Sequence, residues 1–141
     1  MIRTILFDTT VIIDLWRGRT GIKILLEKFK EEVLCISAIT IGEIYDGLGY
    51  TKEKRGVEIY TKIKIQFDKI FNEFEIIPIN LEILKQSGKF KGCLRANGTT
   101  LDFGDCIIGI SAKIIKAGKL VSRNPKHFNE FKIPIETYSL N

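Results

Sequence analysis

The chain predicts a three-layer α/β/α fold with a central, mostly parallel sheet of about five strands in a single domain spanning 1–141. Three observations carry this. Short apolar runs alternate with stretches whose apolar residues recur every three or four positions. The 141 residues are enough for one domain with a real core. The 45% apolar content is too high for a disordered chain.

The elements follow in order. Ile2 to Phe7 reads as a strand, and Thr10 to Trp16 and Lys23 to Lys30 as helices. "EVLCIS", residues 32 to 37, is a second strand. "AITIGEIYDGLGY", residues 38 to 50, has helical spacing at Ile41, Ile44, Tyr45 and Leu48 and ends in glycine. Lys52 to Phe74 is a long amphipathic helix, with Val57, Tyr60, Ile63, Phe67, Ile70 and Phe71 on one face and lysines between them. "FEIIPI", residues 74 to 79, is a third strand, and Leu81 to Lys91 another helix. "DFGDCIIGISAKIIKAG" starts with an acid and stops at Gly118, as a capped helix should. "KLVS", residues 119 to 122, and "IPIETY", residues 133 to 138, supply the remaining strands.

Composition narrows the function. No run is long and apolar enough to span a bilayer. Met1-Ile2-Arg3-Thr4 runs straight into a strand without the features of a secretory signal, so a soluble cytoplasmic protein is expected. Lys and Arg total 22 against 17 Asp and Glu, a net charge of +5 that favours polyanions without proving one. Cys35, Cys93 and Cys106 are far apart and form no zinc-ligand spacing with His127, the one histidine. They read as small buried hydrophobes, and His127 as a surface or packing residue. With no catalytic triad in view, hydrolytic chemistry here must come from carboxylates.

In a parallel sheet, ligands bind beyond the carboxyl ends of the strands. Asp8 stands there after the first strand, Ser37 after the second and "SRN", residues 122 to 124, after the fourth. Glu43 follows one to two turns into the next helix, and Asp105 opens the helix before the fourth strand. Singly, each has a plain structural explanation: Asp8 and the Asp102/Asp105 pair as helix caps, Glu43 as a solvated residue, Asn124 as a turn before Pro125. Together they are harder to dismiss. Ile41, Gly42, Ile44 and Tyr45 around Glu43 predict a largely buried helix, and "CIIGIS" follows Asp105. Carboxylates meeting there would repel and raise one another's pKa unless a hard divalent cation quenched them.

The segments "ILFDTTVIIDLW", "ITIGEIYDGL", "DFGDCIIGISAKIIKAGKLVSRNPKHF" and "IPIETY" resemble, in order and over nearly the whole chain, PIN-domain proteins, most closely VapC-type toxins of prokaryotic toxin–antitoxin pairs. The resemblance implies an RNA-cleaving enzyme dependent on Mg²⁺ or Mn²⁺. Its site would be Asp8, Glu43 and Asp105 as metal-binding acids, with Asn124 in the fourth place. Many relatives carry Asp there, so the lost charge makes a single metal ion the expectation. Asp102 is a second-rank candidate, and Ser122 takes the place of a supporting hydroxyl. Asp8 and Asp105 would hold the ion, and Glu43 would position water or a second ion. Hydrolysis would leave a 5′-phosphate and a 3′-hydroxyl. Arg95, Arg123 and Lys126 are the candidate contacts to RNA phosphates. The implied partners are an RNA substrate, a cognate antitoxin and a second copy of the chain, with no membrane. Trp16 and the Tyr45 to Tyr50 stretch are candidates for a groove that receives the antitoxin.

Three rivals are weighed. A haloacid-dehalogenase-type phosphatase wants a second carboxylate two residues after its nucleophile, where this chain has Thr10. A nucleotide-binding Rossmann module lacks its glycine-rich loop. A catalytically silent PIN-like module that binds RNA or protein is kept alive by Asn124.

Overall fold

The computed structural model describes residues 1–140. Five parallel strands form one sheet in the order β3-β2-β1-β4-β5. They are β1 (Thr4–Phe7), β2 (Val33–Ser37), β3 (Glu75–Ile77), β4 (Lys119–Val121) and β5 (Ile135–Glu136). Six helices make the crossovers: α1 (Thr9–Trp16), α2 (Thr20–Lys28), α3 (Ala38–Arg55), α4 (Val57–Phe71), α5 (Leu81–Ala96) and α6 (Phe103–Ile114). A 3-10 segment, Pro125–Phe131, joins β4 to β5. The layered α/β fold is thus as expected, with every strand pairing parallel.

The period of the strand decides the layers. Successive side chains point to opposite faces. Ile5 and Phe7 therefore join one core with α1 to α4, while Leu6 joins a second core with α5, α6 and the 3-10 segment. Ile36 and Cys35 of β2, and Val121 and Leu120 of β4, divide in the same way. The register aligns them, pairing Phe7 with Ile36 and Val121, and Leu6 with Cys35 and Leu120. Phe7 meets Phe74 edge-on at 5.6 Å and Phe29 at 6.4 Å. Truncating such a buried ring to alanine costs about 3–5 kcal/mol.

Three expectations are corrected. The helix read as ending near Tyr50 continues to Arg55, and the one read from Lys52 to Phe74 starts only at Val57. The break falls at Gly56, whose φ of +98° suits glycine and few other residues. The glycines at 47 and 49 lie within the helix instead of ending it. The helix around Glu43 is not largely buried; it buries the single stripe Thr40, Ile44 and Leu48. Cys35 and Cys106 are buried thiols, but Cys93 is exposed. Among the described residues, no helix is long and apolar enough to cross a membrane.

Strand order fixes where a site can lie. From β1 the chain crosses to β2 on one side, while β4 takes the other, so the order reverses between β1 and β4. In open α/β sheets ligands sit in the crevice beyond the carboxyl ends of the strands flanking such a reversal, here β1 and β4. The Asp8 N–H donates to Val121 O at 3.0 Å, which seats Asp8 at this position.

Candidate active site

Asp8 is both a helix cap and a buried acid. Only 3% of it is exposed. Its Oδ1 accepts from the Val11 N–H at 3.3 Å, the cap expected of Asp before a helix. The same oxygen accepts from the Thr10 hydroxyl at 2.5 Å, and Oδ2 accepts from the Ser122 hydroxyl at 2.6 Å. Burial pushes the Asp8 pKa up, and the Ser122 and Thr10 hydrogen bonds oppose that rise. The two hydroxyls offset the desolvation cost of an acid at the mouth of an apolar strand.

Glu43 reaches the same crevice from α3. Its Oε1 accepts from the Thr9 hydroxyl at 2.6 Å. That hydroxyl has one proton, so Thr40, 2.9 Å away, is the donor in the Thr9–Thr40 pair. The residue is exposed at the rim, yet its Oε2 lies 2.8 Å from where a Cβ on Gly104 would stand. Burial of the carboxylate raises the Glu43 pKa, and the negative charges of Asp8, Asp102 and Asp46 raise it further, against the Thr9 hydrogen bond.

Asp105 stands in the first turn of α6. Burial pushes its pKa up to about 6; His127 lowers it, and Asp8, Glu43 and Asp102 add to the rise. The ring Nδ1 of His127 is 3.1 Å from Asp105 Oδ2. Asp102 holds the N-cap position of α6 without a side-chain cap hydrogen bond.

The structure brings Asp8, Glu43 and Asp105 within mutual electrostatic reach from three elements far apart in sequence. Asn124 joins through its backbone, whose N–H donates to Ser122 Oγ at 2.9 Å. Arg123 gives its Nε to Asp14 Oδ2 at 2.7 Å, and about a third of its side chain stays exposed. Lys126 and Arg95 are exposed, and among the described residues neither enters the hydrogen-bonded acid network. Sequence reasoning missed Thr9, Thr40 and the role of His127. The doubled threonine after Asp8 signals Thr9, but nothing local marks a pairing with a residue 31 positions on.

The acid set fits one kind of cation. Among the described residues, no three His, Cys, Asp or Glu side chains converge into a ready-made metal cage. A dehydrated all-protein site is therefore not built. A hard cation that keeps most of its waters and takes one or two carboxylates suits the arrangement, and that is how Mg²⁺ is usually held. The raised pKa values have the sign that a bound dication would relieve.

A parallel sheet with clustered carboxylates at its switch point defines an α/β protein with an acidic carboxyl-edge site. The PIN domain model matches residues 5–133, and the chain belongs to the PIN domain family. Several solved structures are similar. One chain of VapBC2 from Rickettsia felis, bound to a promoter DNA fragment, superposes with a TM-score of 0.81 at 19% identity, covering 96% of this chain and 99% of that one. A toxin–antitoxin complex from Klebsiella pneumoniae has 28% identity and a TM-score of 0.69, covering 94% and 95%. VapC20 from Mycobacterium tuberculosis, a sarcin-ricin loop cleaving toxin, has 14% identity and a TM-score of 0.58, covering 82% and 86%. The likenesses below 25% identity speak for the fold alone. No curated protein matches the chain significantly.

Proposed function

We propose that this protein is a metal-dependent endoribonuclease acting in the cytoplasm as the toxin of a toxin–antitoxin pair. The observation that carries this reading is that Asp8, Glu43 and Asp105 lie within electrostatic reach of one another at the switch point, each with its pKa raised. Membership of the PIN domain family and the 28% identity to a chain of a toxin–antitoxin complex support it.

A bound Mg²⁺ or Mn²⁺ supplies Lewis-acid charge to a phosphodiester and to water. Asp8 and Asp105 are the residues to hold it. Hydroxyls on both Asp8 oxygens fix that carboxylate's plane, so it is oriented before the ion arrives. Thr9 fixes Glu43 Oε1, leaving Oε2 to take a proton from attacking water. His127 steadies Asp105 Oδ2. Asn124 leaves the fourth place uncharged, which favours a single ion. Arg95, Arg123 and Lys126 are the candidate contacts to RNA phosphates.

A groove of ≈ 270 Å³ opens beside Glu43, its lining including Ile13, Trp16, Ile44, Leu48, Phe67 and Arg55. It supports the reading of an antitoxin segment docking next to the site. A homodimer is the proposed assembly.

The test is cleavage of varied single-stranded RNAs by the pure protein, with and without Mg²⁺ or Mn²⁺, beside Asp8→Asn. Divalent-dependent cleavage that Asp8→Asn abolishes is expected. Absence of any cleavage with Mg²⁺ or Mn²⁺ would favour the silent module that Asn124 keeps in view, and Mn²⁺ uptake lost in Asp8→Asn and Asp105→Asn would argue against it.

A further inference from the structure

Asp14 is an expensive residue for a core. It lies on α1 and its side chain is 1% exposed. Its Oδ1 has no hydrogen-bond partner among the described residues. A hydrophobic side chain of similar size would often cost less at such a place. The carboxylate acts through Oδ2, which accepts from Arg123 Nε at 2.7 Å and from the Tyr138 hydroxyl at 2.7 Å.

Asp14 and Thr10 are four residues apart on α1 and share a face. One residue grips both. The backbone N–H of Arg123 donates to Thr10 Oγ1 at 3.4 Å, while its side chain pairs with Asp14. The next residue, Asn124, donates its N–H to Ser122 Oγ. Thr10 and Ser122 are the two hydroxyls that donate to Asp8. Each therefore accepts from a backbone N–H of the same turn and turns its single proton toward Asp8.

We propose that Asp14 and Tyr138 are positioning residues that clamp Arg123, and so hold the 122–124 turn that aims the Thr10 and Ser122 hydroxyls at Asp8. Neither residue touches Asp8. The clamp deepens the metal-site reading of Asp8 and rests on it only for its functional consequence. A core ion pair without this role would weaken the whole fold evenly and spare the turn no more than β1.

Tyr138→Phe removes the hydroxyl that reaches Asp14, Arg123 and Thr10 and keeps the ring. In the full chain, amide exchange followed by NMR should speed about tenfold or more at Arg123 and Asn124, while Ile5 and Leu6 of β1 keep their protection. Mn²⁺ affinity measured by calorimetry should fall several-fold. Asp14→Asn should act in the same direction, and Tyr138→Phe carries the test if that variant fails to fold. Unchanged exchange at the turn, or an equal loss of protection across β1 and the turn, overturns the clamp. Faster exchange at the turn with undiminished Mn²⁺ affinity overturns its link to Asp8. If the wild-type protein takes up no Mn²⁺, the nuclease reading falls, and exchange at Arg123 and Asn124 still decides the clamp.

Discussion

The backbone of Gly104 closes on the carboxylate of Glu43, so that a Cβ at position 104 would lie 2.8 Å from Glu43 Oε2. Gly104 precedes Asp105, and this contact sets how closely α6 and α3 bring their acids together. Gly104→Ala should displace Glu43, because the flexible end of that side chain is what must yield. Stability should hold or rise by up to about 1 kcal/mol, since alanine is the better helix former. RNA cleavage should fall between about tenfold and a hundredfold through misplacement of the acid. Thermal melts run beside a cleavage assay check both halves.

Thr9 ties α1 to α3 by donating to Glu43 Oε1 at 2.6 Å. Thr9→Val keeps the shape and removes the donor. Glu43 then loses the one hydrogen bond that opposes its raised pKa. We expect a stability loss of about 1 kcal/mol in denaturant titration. The rate-limiting basic group of cleavage should move to higher pH in the pH–rate profile.

The acids make metal-free stability depend on pH. Asp105 is raised from 3.8 to about 6, so between those values the folded state holds a proton that the unfolded chain has released. The stability this gives is full below 3.8 and is lost as pH rises through about 6. Asp8 and Glu43, also raised, act with the same sign. Glu32, Asp68 and Glu136 are lowered, and their contribution is lost only as pH falls below the ordinary carboxylate range. Without divalent ion, Tm should therefore be higher near about pH 5 than near about pH 7.5. Saturating Mn²⁺ binds the ionised acids and should shrink or reverse that difference, and Asp105→Asn should flatten it. Calorimetric melts at the two pH values measure all three.

Gly109 and Phe131 define a second close approach. A Cβ on Gly109 would stand 2.5 Å from Phe131 Cε1, pressed against a fully buried ring that stacks on Phe90 at 4.5 Å. Gly109→Ala should cost about 1–3 kcal/mol by overpacking, read as a lowered Tm. The outcome separates this structural glycine from Gly104, where the same change should cost activity instead.

Much of the fold was legible in the chain because its signals are local. The unbroken apolar run Ile5, Leu6 and Phe7 marks a strand buried on both faces, and the apolar-rich Cys106 to Ala112 marks the buried stretch of a helix. The rule that ligands sit beyond parallel strand ends then led to Asp8, and the acid opening α6 led to Asp105. The α3–α4 break reads too early, at Tyr50, because the polar stretch Thr51 to Gly56 carries no apolar residue to show that the helix runs on, and only the backbone of Gly56 ends the first helix.

Amino-acid order by itself determined the period of each element, the burial of β1 and the presence of acids at the sheet's carboxyl edge, since each depends on neighbours within a few residues. Tertiary structure alone decided which hydroxyls hold those acids. Thr9 meets Thr40, Ser122 meets Asp8 and Tyr138 meets Asp14 across separations of 31, 114 and 124 residues. A hydrogen bond needs its partners within about 3 Å and well aligned. Crossovers between parallel strands bring such distant residues to one edge, and no periodicity along the chain encodes which hydroxyl faces which carboxylate there.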